Sequence, residues 1–184
     1  MTPAALVLLA VLSLSSVPFW RELPVIHRFR LRAGSVLALS LAVLAATAWF
    51  AVAGDGHGPV EGRIAVTLAV LASVAAGGPV AKAVLRLADP GTPAAPQGPA
   101  RTTVLTGGAW IGALERIAVT ATLLAGWPEG LALVLVVKGL GRYPELRSAG
   151  QSDQSGVAER FIIGTFASAL WAAGCAGIGL ALLR

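Results

Sequence analysis

The sequence predicts an all-α membrane protein, a bundle of about six transmembrane helices with both termini outside. Three observations carry this. Apolar residues fill 56% of the 184 positions and charged residues only 12%, whereas a soluble domain carries about 25% charged residues. Mean hydropathy is +0.78, and several apolar runs approach the ~20 residues that cross a bilayer as helix. Lys and Arg fall in short links between these runs, on alternate sides, as the positive-inside rule requires. A very apolar soluble bundle would instead need amphipathic surface helices, and none is evident.

The first apolar segment, about 3–19, ends at Pro18 and an interfacial Trp20. No Lys or Arg precedes Arg21 and no small-x-small cleavage site is present, so it reads as a retained helix rather than a signal peptide. The second segment, 34–53, is closed by the turn Gly54-Asp-Gly-His-Gly-Pro59. The third, 61–86, contains Gly77-Gly-Pro79, which reads as an inner-end kink more readily than as a functional break. The fourth is 104–125 and the sixth 157–183. The fifth, 128–143, is the weakest span: its roughly 16 residues cover about 24 Å of helix, short of the ~30 Å hydrocarbon core.

The link after the first segment holds Arg21, Arg28, Arg30 and Arg32. The next link on that side holds Arg101, near Lys82 and Arg86, and the last holds Arg142, Arg147 and Arg160 around its ends. The opposite side offers only Arg63 and Arg184. The first set is therefore expected in the cytoplasm. A Pro/Gly-rich stretch within 89–103 cannot hold a helix and divides the chain into a three-helix half, 1–88, and a second, 104–184. Two such halves would have opposite topology, as in inverted-repeat transporters. The clearest internal echo, Gly112-Ala-Leu-Glu-Arg116 against Gly156-Val-Ala-Glu-Arg160, lies wholly in the second half.

The net charge of +5 does not point to nucleic acid, because no stretch interleaves basic and aromatic residues. The single cysteine, Cys175, excludes a disulfide framework and a Cys-based metal site. His27 and His57 fall in links on opposite sides of the membrane and cannot share a metal. There is no phosphate-binding loop, no His-Glu-x-x-His and no nucleophile elbow. No catalytic residue, metal or cofactor is expected. The expected partners are the lipid bilayer and either a second copy of the chain or a membrane partner subunit.

The polar residues that demand explanation lie in the second half. Glu115 and Arg116 sit mid-segment, where an ionised group costs at least ~2.5–3.5 kcal/mol. Glu115 lies ~16 Å below the outer turn at Gly126 and Lys138 lies ~15 Å below it on the next, antiparallel helix. Equal depth predicts an ion pair between them. Arg116 has no second carboxylate at its depth and must find a partner elsewhere, face water or bind an anion. Glu115, Arg116 and Lys138 form the candidate substrate or ion site. Arg142, Glu145, Glu159 and Arg160 form a candidate polar cluster at the inner face. Small residues at Gly108 and Gly112, and at Gly164, Ser168 and Ala172, form stripes that permit close helix contact. The first three helices read as apolar scaffold.

The elements Gly108-Ala-Trp-Ile-Gly-Ala-Leu-Glu-Arg116, Lys138-Gly-Leu-Gly-Arg-Tyr-Pro-Glu-Leu146 and Ala158-Glu-Arg-Phe-Ile-Ile-Gly-Thr165 resemble the C-terminal part of a family of uncharacterised bacterial integral-membrane proteins. The resemblance covers about 107–184. It implies a multi-pass protein of a bacterial inner membrane with these charged residues as its motif, and it implies no activity. The expectations that follow are a small transport or binding protein with its site between the last three helices, or a non-catalytic subunit whose charges lock helix packing and assembly. A lipid-processing enzyme at the inner leaflet is the least supported.

Overall fold

The computed structural model describes residues 2–15, 33–53, 59–89, 107–143, 147 and 155–183. Among them are six helices and no strand: α1 (Thr2–Ser15), α2 (Ala33–Val52), α3 (Pro59–Ala88), α4 (Gly107–Leu124), α5 (Glu129–Gly141) and α6 (Ser155–Ala181). The described residues are all-α, as the composition predicts. Three stretches, Gly34–Val52, Val60–Ala88 and Ala158–Ala181, are long and apolar enough to cross a membrane. The others differ from the expected spans for separate reasons. α1 has 14 residues and α5 has 13, which give about 21 Å and 20 Å of helix. α4 has 18 residues but carries Glu115 and Arg116 near its centre.

The bundle is built on α3 and α6, the most extensive helix–helix contact. Both present small residues to the seam. On α3, Ala65, Ala69, Ala72 and Ala76 are buried, and on α6 so are Ala172, Cys175 and Ala176. A Cβ at Gly179 would lie 3.2 Å from the Ala69 Cβ, so the two backbones approach as closely as small residues allow. Trp171 and Ile178 join the same core. α1 adds Ala5, Leu9 and Leu12, spaced i, i+4, i+7 on one face. α2 rests on α1, α3 and α6 and buries Thr47 and Ala51, while Trp49 is 71% exposed. Apolar side chains also cover the outside of the bundle, among them Ile162, Phe166 and Leu170. That inverts the surface of a soluble protein and suits a hydrocarbon solvent.

α3 runs as one helix through Gly77-Gly-Pro79. Pro79 lacks the N–H that would bond four residues back, a loss tolerated where neighbouring helices supply donors. The α4–α5 hairpin turns on Gly126, whose φ of 72° is in the left-handed region. Its N–H donates to the Leu123 carbonyl at 3.1 Å, and that of Trp127 to the Thr122 carbonyl at 2.8 Å, the bond pattern of a Schellman cap. Pro128 then opens α5. Gly130 is buried at the base of the hairpin, where a Cβ would be 2.5 Å from Thr122 Cγ2 and 2.8 Å from the Trp127 ring. α5 makes its main contact with α4 alone. It leans away from α6, and a wedge opens between them.

Two glycine substitutions test the hairpin. Gly126→Ala forces a Cβ into the left-handed region and is expected to cost about 1–2 kcal/mol. Gly108→Ala, with nothing within 4 Å of the added methyl, is expected to be neutral or mildly stabilising. Thermal unfolding of the two variants in lipid nanodiscs distinguishes them.

Candidate functional site

Consecutive helix residues point about 100° apart, so Glu115 and Arg116 leave α4 in different directions. Glu115 faces α5, where Lys138 Nζ donates to its Oε2. The pair expected from matched depth is present and partly buried. Lys138 also stands 5.9 Å over the Phe161 ring of α6, which adds a cation–π contact across the wedge.

Arg116 faces inward, 4% exposed. Its Nη2 donates to the main-chain carbonyl of Val74 at 3.2 Å, and its Nη1 reaches Ser168 Oγ at 3.4 Å. The partner that the sequence left open is therefore a carbonyl of α3 and a hydroxyl of α6. Gly77 makes this possible. A Cβ there would collide with the Arg116 Cδ and lie 2.8 Å from its Nε, so the arginine stem crosses α3 where no side chain stands. Arg116 Nε has no hydrogen-bond partner among the described residues.

The same stretch of α3 receives two further polar contacts. Thr120 Oγ1 donates to the Arg116 carbonyl at 2.7 Å and lies 2.8 Å from Ser73 Oγ. Since the Thr120 proton is committed, Ser73 is the donor of the second bond. Trp171 Nε1 donates to the Ala72 carbonyl at 3.3 Å. Residues 72–77 of α3 thus hold α4 and α6 by polar contacts, which corrects the reading of the first three helices as plain scaffold. Gly77, Ser73 and Thr165 escaped the sequence reading as site residues. Gly77-Gly-Pro79 and a serine amid alanines were the available signals.

Two spaces adjoin the ion pair. An open groove of about 700 Å³ runs between α4, α5 and α6, walled by Leu133, Val137 and Phe161 among others. Behind it lies a cavity of about 10 Å³ bordered by Arg116, Thr165 and Ser168, room for about one water-sized sphere. Glu115, Val134, Lys138 and Thr165 line both spaces. The ion pair therefore stands between the groove and the chamber of Arg116.

The inner-face residues separate. Arg142 and Arg160 line the groove, and Arg160 Nη2 meets Asp89 Oδ2 at 3.2 Å in an exposed pair. Glu159 is exposed and is not part of the groove wall. Glu145 lies outside the described residues. The small-residue stripes also divide. Gly164 approaches Leu85 of α3, 3.4 Å from its would-be Cβ, whereas Gly108 faces open space. Gly112 gives room to Arg116 Nη1, 3.3 Å from its would-be Cβ, so the α4 stripe seats a side chain of its own helix rather than a partner helix. Ser168 and Ala172 are buried, and Ser168 serves Arg116 as well as packing. Among the described residues no three His, Cys, Asp or Glu side chains gather as metal ligands, and Cys175 is buried as a free thiol.

Glu115→Gln leaves a partly buried ammonium without its carboxylate and is expected to lose about 3 kcal/mol, toward the low end of the cost of breaking a buried pair. Glu115→Gln combined with Lys138→Met should recover most of that loss in a double-mutant cycle. Gly77→Val should destabilise by at least 2 kcal/mol, as overpacking against the Arg116 stem does, and unfolding midpoints measure all three. Comparison with known proteins finds no family model, no curated protein and no solved structure that matches this chain, so the likeness of its motifs to uncharacterised membrane proteins has no family model behind it.

Proposed function

We propose that this is a small multi-pass membrane protein that binds, or passes across a bacterial inner membrane, a small polar or ionic solute. Its site is formed by Glu115, Arg116 and Lys138 between α4, α5 and α6. One observation carries the reading: the Glu115–Lys138 pair lines both the open groove and the small cavity beside Arg116. A charge pair serving only helix packing has no need of a chamber behind it. The groove supplies entry, because among the described residues α5 packs mainly on α4 and meets α6 only lightly. The pair can exchange partners with a solute without breaking the α3–α6 core. In this reading all six helices cross or enter the bilayer, the short α5 beside the solute path, with Arg142 and Arg160 at the cytoplasmic mouth as the positive-inside rule places them. The packing reading, a non-catalytic subunit, differs in filling the groove with lipid or a partner helix.

Water access separates the two. Val137 lines the groove and Leu170 faces outward, and both are equally bare in the protein, at 68% and 69% exposure. In membrane vesicles a charged methanethiosulfonate reagent should modify Val137→Cys and spare Leu170→Cys. The parent chain supplies the background, since its one cysteine is buried. Failure to modify Val137→Cys would overturn the solute reading in favour of the subunit.

A further inference from the structure

We infer that the chamber behind the ion pair is a binding site for a small monovalent inorganic anion of the halide class. The inference rests on the solute reading above and names its ligand. Charge comes first. The chamber is lined by one carboxylate, Glu115, and two cations, Arg116 and Lys138. Lys138 already holds Glu115, so the set carries one uncompensated positive charge. Arg116 is 4% exposed and its hydrogen-bond partners among the described residues are neutral oxygens, which solvate a guanidinium without neutralising it. A buried guanidinium whose one nearby carboxylate is already paired to an ammonium is costly in an apolar bundle.

Donor inventory comes second. Thr165 Oγ1 is buried, has no hydrogen-bond partner among the described residues and belongs to a residue that borders the chamber; Arg116 Nε, also without a partner among them, lies against Gly77 of α3. Ser168 Oγ accepts from Arg116, which leaves its proton to donate. Guanidinium N–H, two hydroxyls and an ammonium nearby make a set dominated by donors, suited to an anion and unsuited to a cation. Size comes third. Room for about one water-sized sphere admits a chloride after slight adjustment and excludes carboxylates and phosphates. Val119, Val134, Leu135 and Ala169 complete the wall, so the ligand has no further polar group to satisfy.

The test compares chloride and bromide with gluconate at fixed ionic strength, read as the thermal unfolding midpoint of the full chain in nanodiscs. The halides should raise the midpoint saturably and gluconate should not. Thr165→Val removes one donor at constant shape and should raise the half-saturating halide concentration about tenfold or more, as loss of a hydrogen bond to a charged group does. An equal midpoint in all three salts, or an unchanged halide response in Thr165→Val, overturns the proposal. Should that variant fail to fold, wild-type crystals soaked in bromide decide: an anomalous peak between Arg116 and Thr165 supports the site, and its absence overturns it. Labelling of Val137→Cys without any halide effect removes the anion and keeps the solute site. Absence of both removes the two together.

Discussion

Arg116 places a guanidinium inside a bundle whose interior is mainly alanine, leucine and valine, side chains that offer it no acceptor. The remaining structure is arranged around that demand. A cation so placed is tolerated when oxygen atoms meet its N–H groups, and here they come from the Val74 carbonyl of α3 and the Ser168 hydroxyl of α6. Reaching both at once requires that α3, α4 and α6 converge at one level. The alanine seam of α3 and α6 brings those two backbones together, and the missing side chain at Gly77 lets the arginine stem lie across α3. Trp171 on Ala72 and Ser73 with Thr120 repeat the pattern one turn away. Polar contact thus supplies the directional part of a packing that small apolar residues only permit.

Glu115 has a different task. It leaves α4 toward α5 and takes Lys138, tying the shortest helix to the bundle at mid-depth while the Gly126 turn and the buried Gly130 tie it at the hairpin end. Among the described residues α5 is held mainly along its α4 side. The groove is the geometric consequence, and it exposes one charge pair to an apolar cleft while a second cation sits behind it. Adjacent residues of opposite charge therefore take different hydrogen-bond partners. Helical geometry sends them to different neighbours, and the excess positive charge is left on the buried side.

The Glu115–Lys138 pair was legible in the sequence because it depends on distances along two helices joined by a short turn. Counting residues from Gly126 places both groups at one depth, and the antiparallel hairpin does the rest. Arg116 illustrates the opposite case. Its acceptor is a main-chain carbonyl, which every residue possesses, so no side chain in α3 advertises the contact. Gly108 and Gly112 show a related limit. Their i+4 spacing is that of a packing stripe, yet the stripe faces the groove at Gly108 and Arg116 at Gly112, because spacing marks a helix face without saying what lies opposite it. Of the six expected spans, three helices are long and apolar enough to cross a membrane, whereas α4 carries two charges and α1 and α5 are a turn or two shorter than the bilayer thickness.

By itself the sequence determined the class, an all-helical membrane protein, the order of its helices and the axial level of its charges. These follow from composition, from the length of apolar runs and from a fixed rise per residue. The tertiary structure alone decided which oxygens hold Arg116, that Gly77 is the gap it crosses, and that α5 stands off from α6 to leave a groove and a chamber. Those features depend on helix azimuth and on inter-helix distance. Helices that are apolar on every face carry almost no local signal for either, since no polar stripe tells one side from another. Only the meeting of side chains from α3, α4 and α6 selects the rotation in which the guanidinium is satisfied.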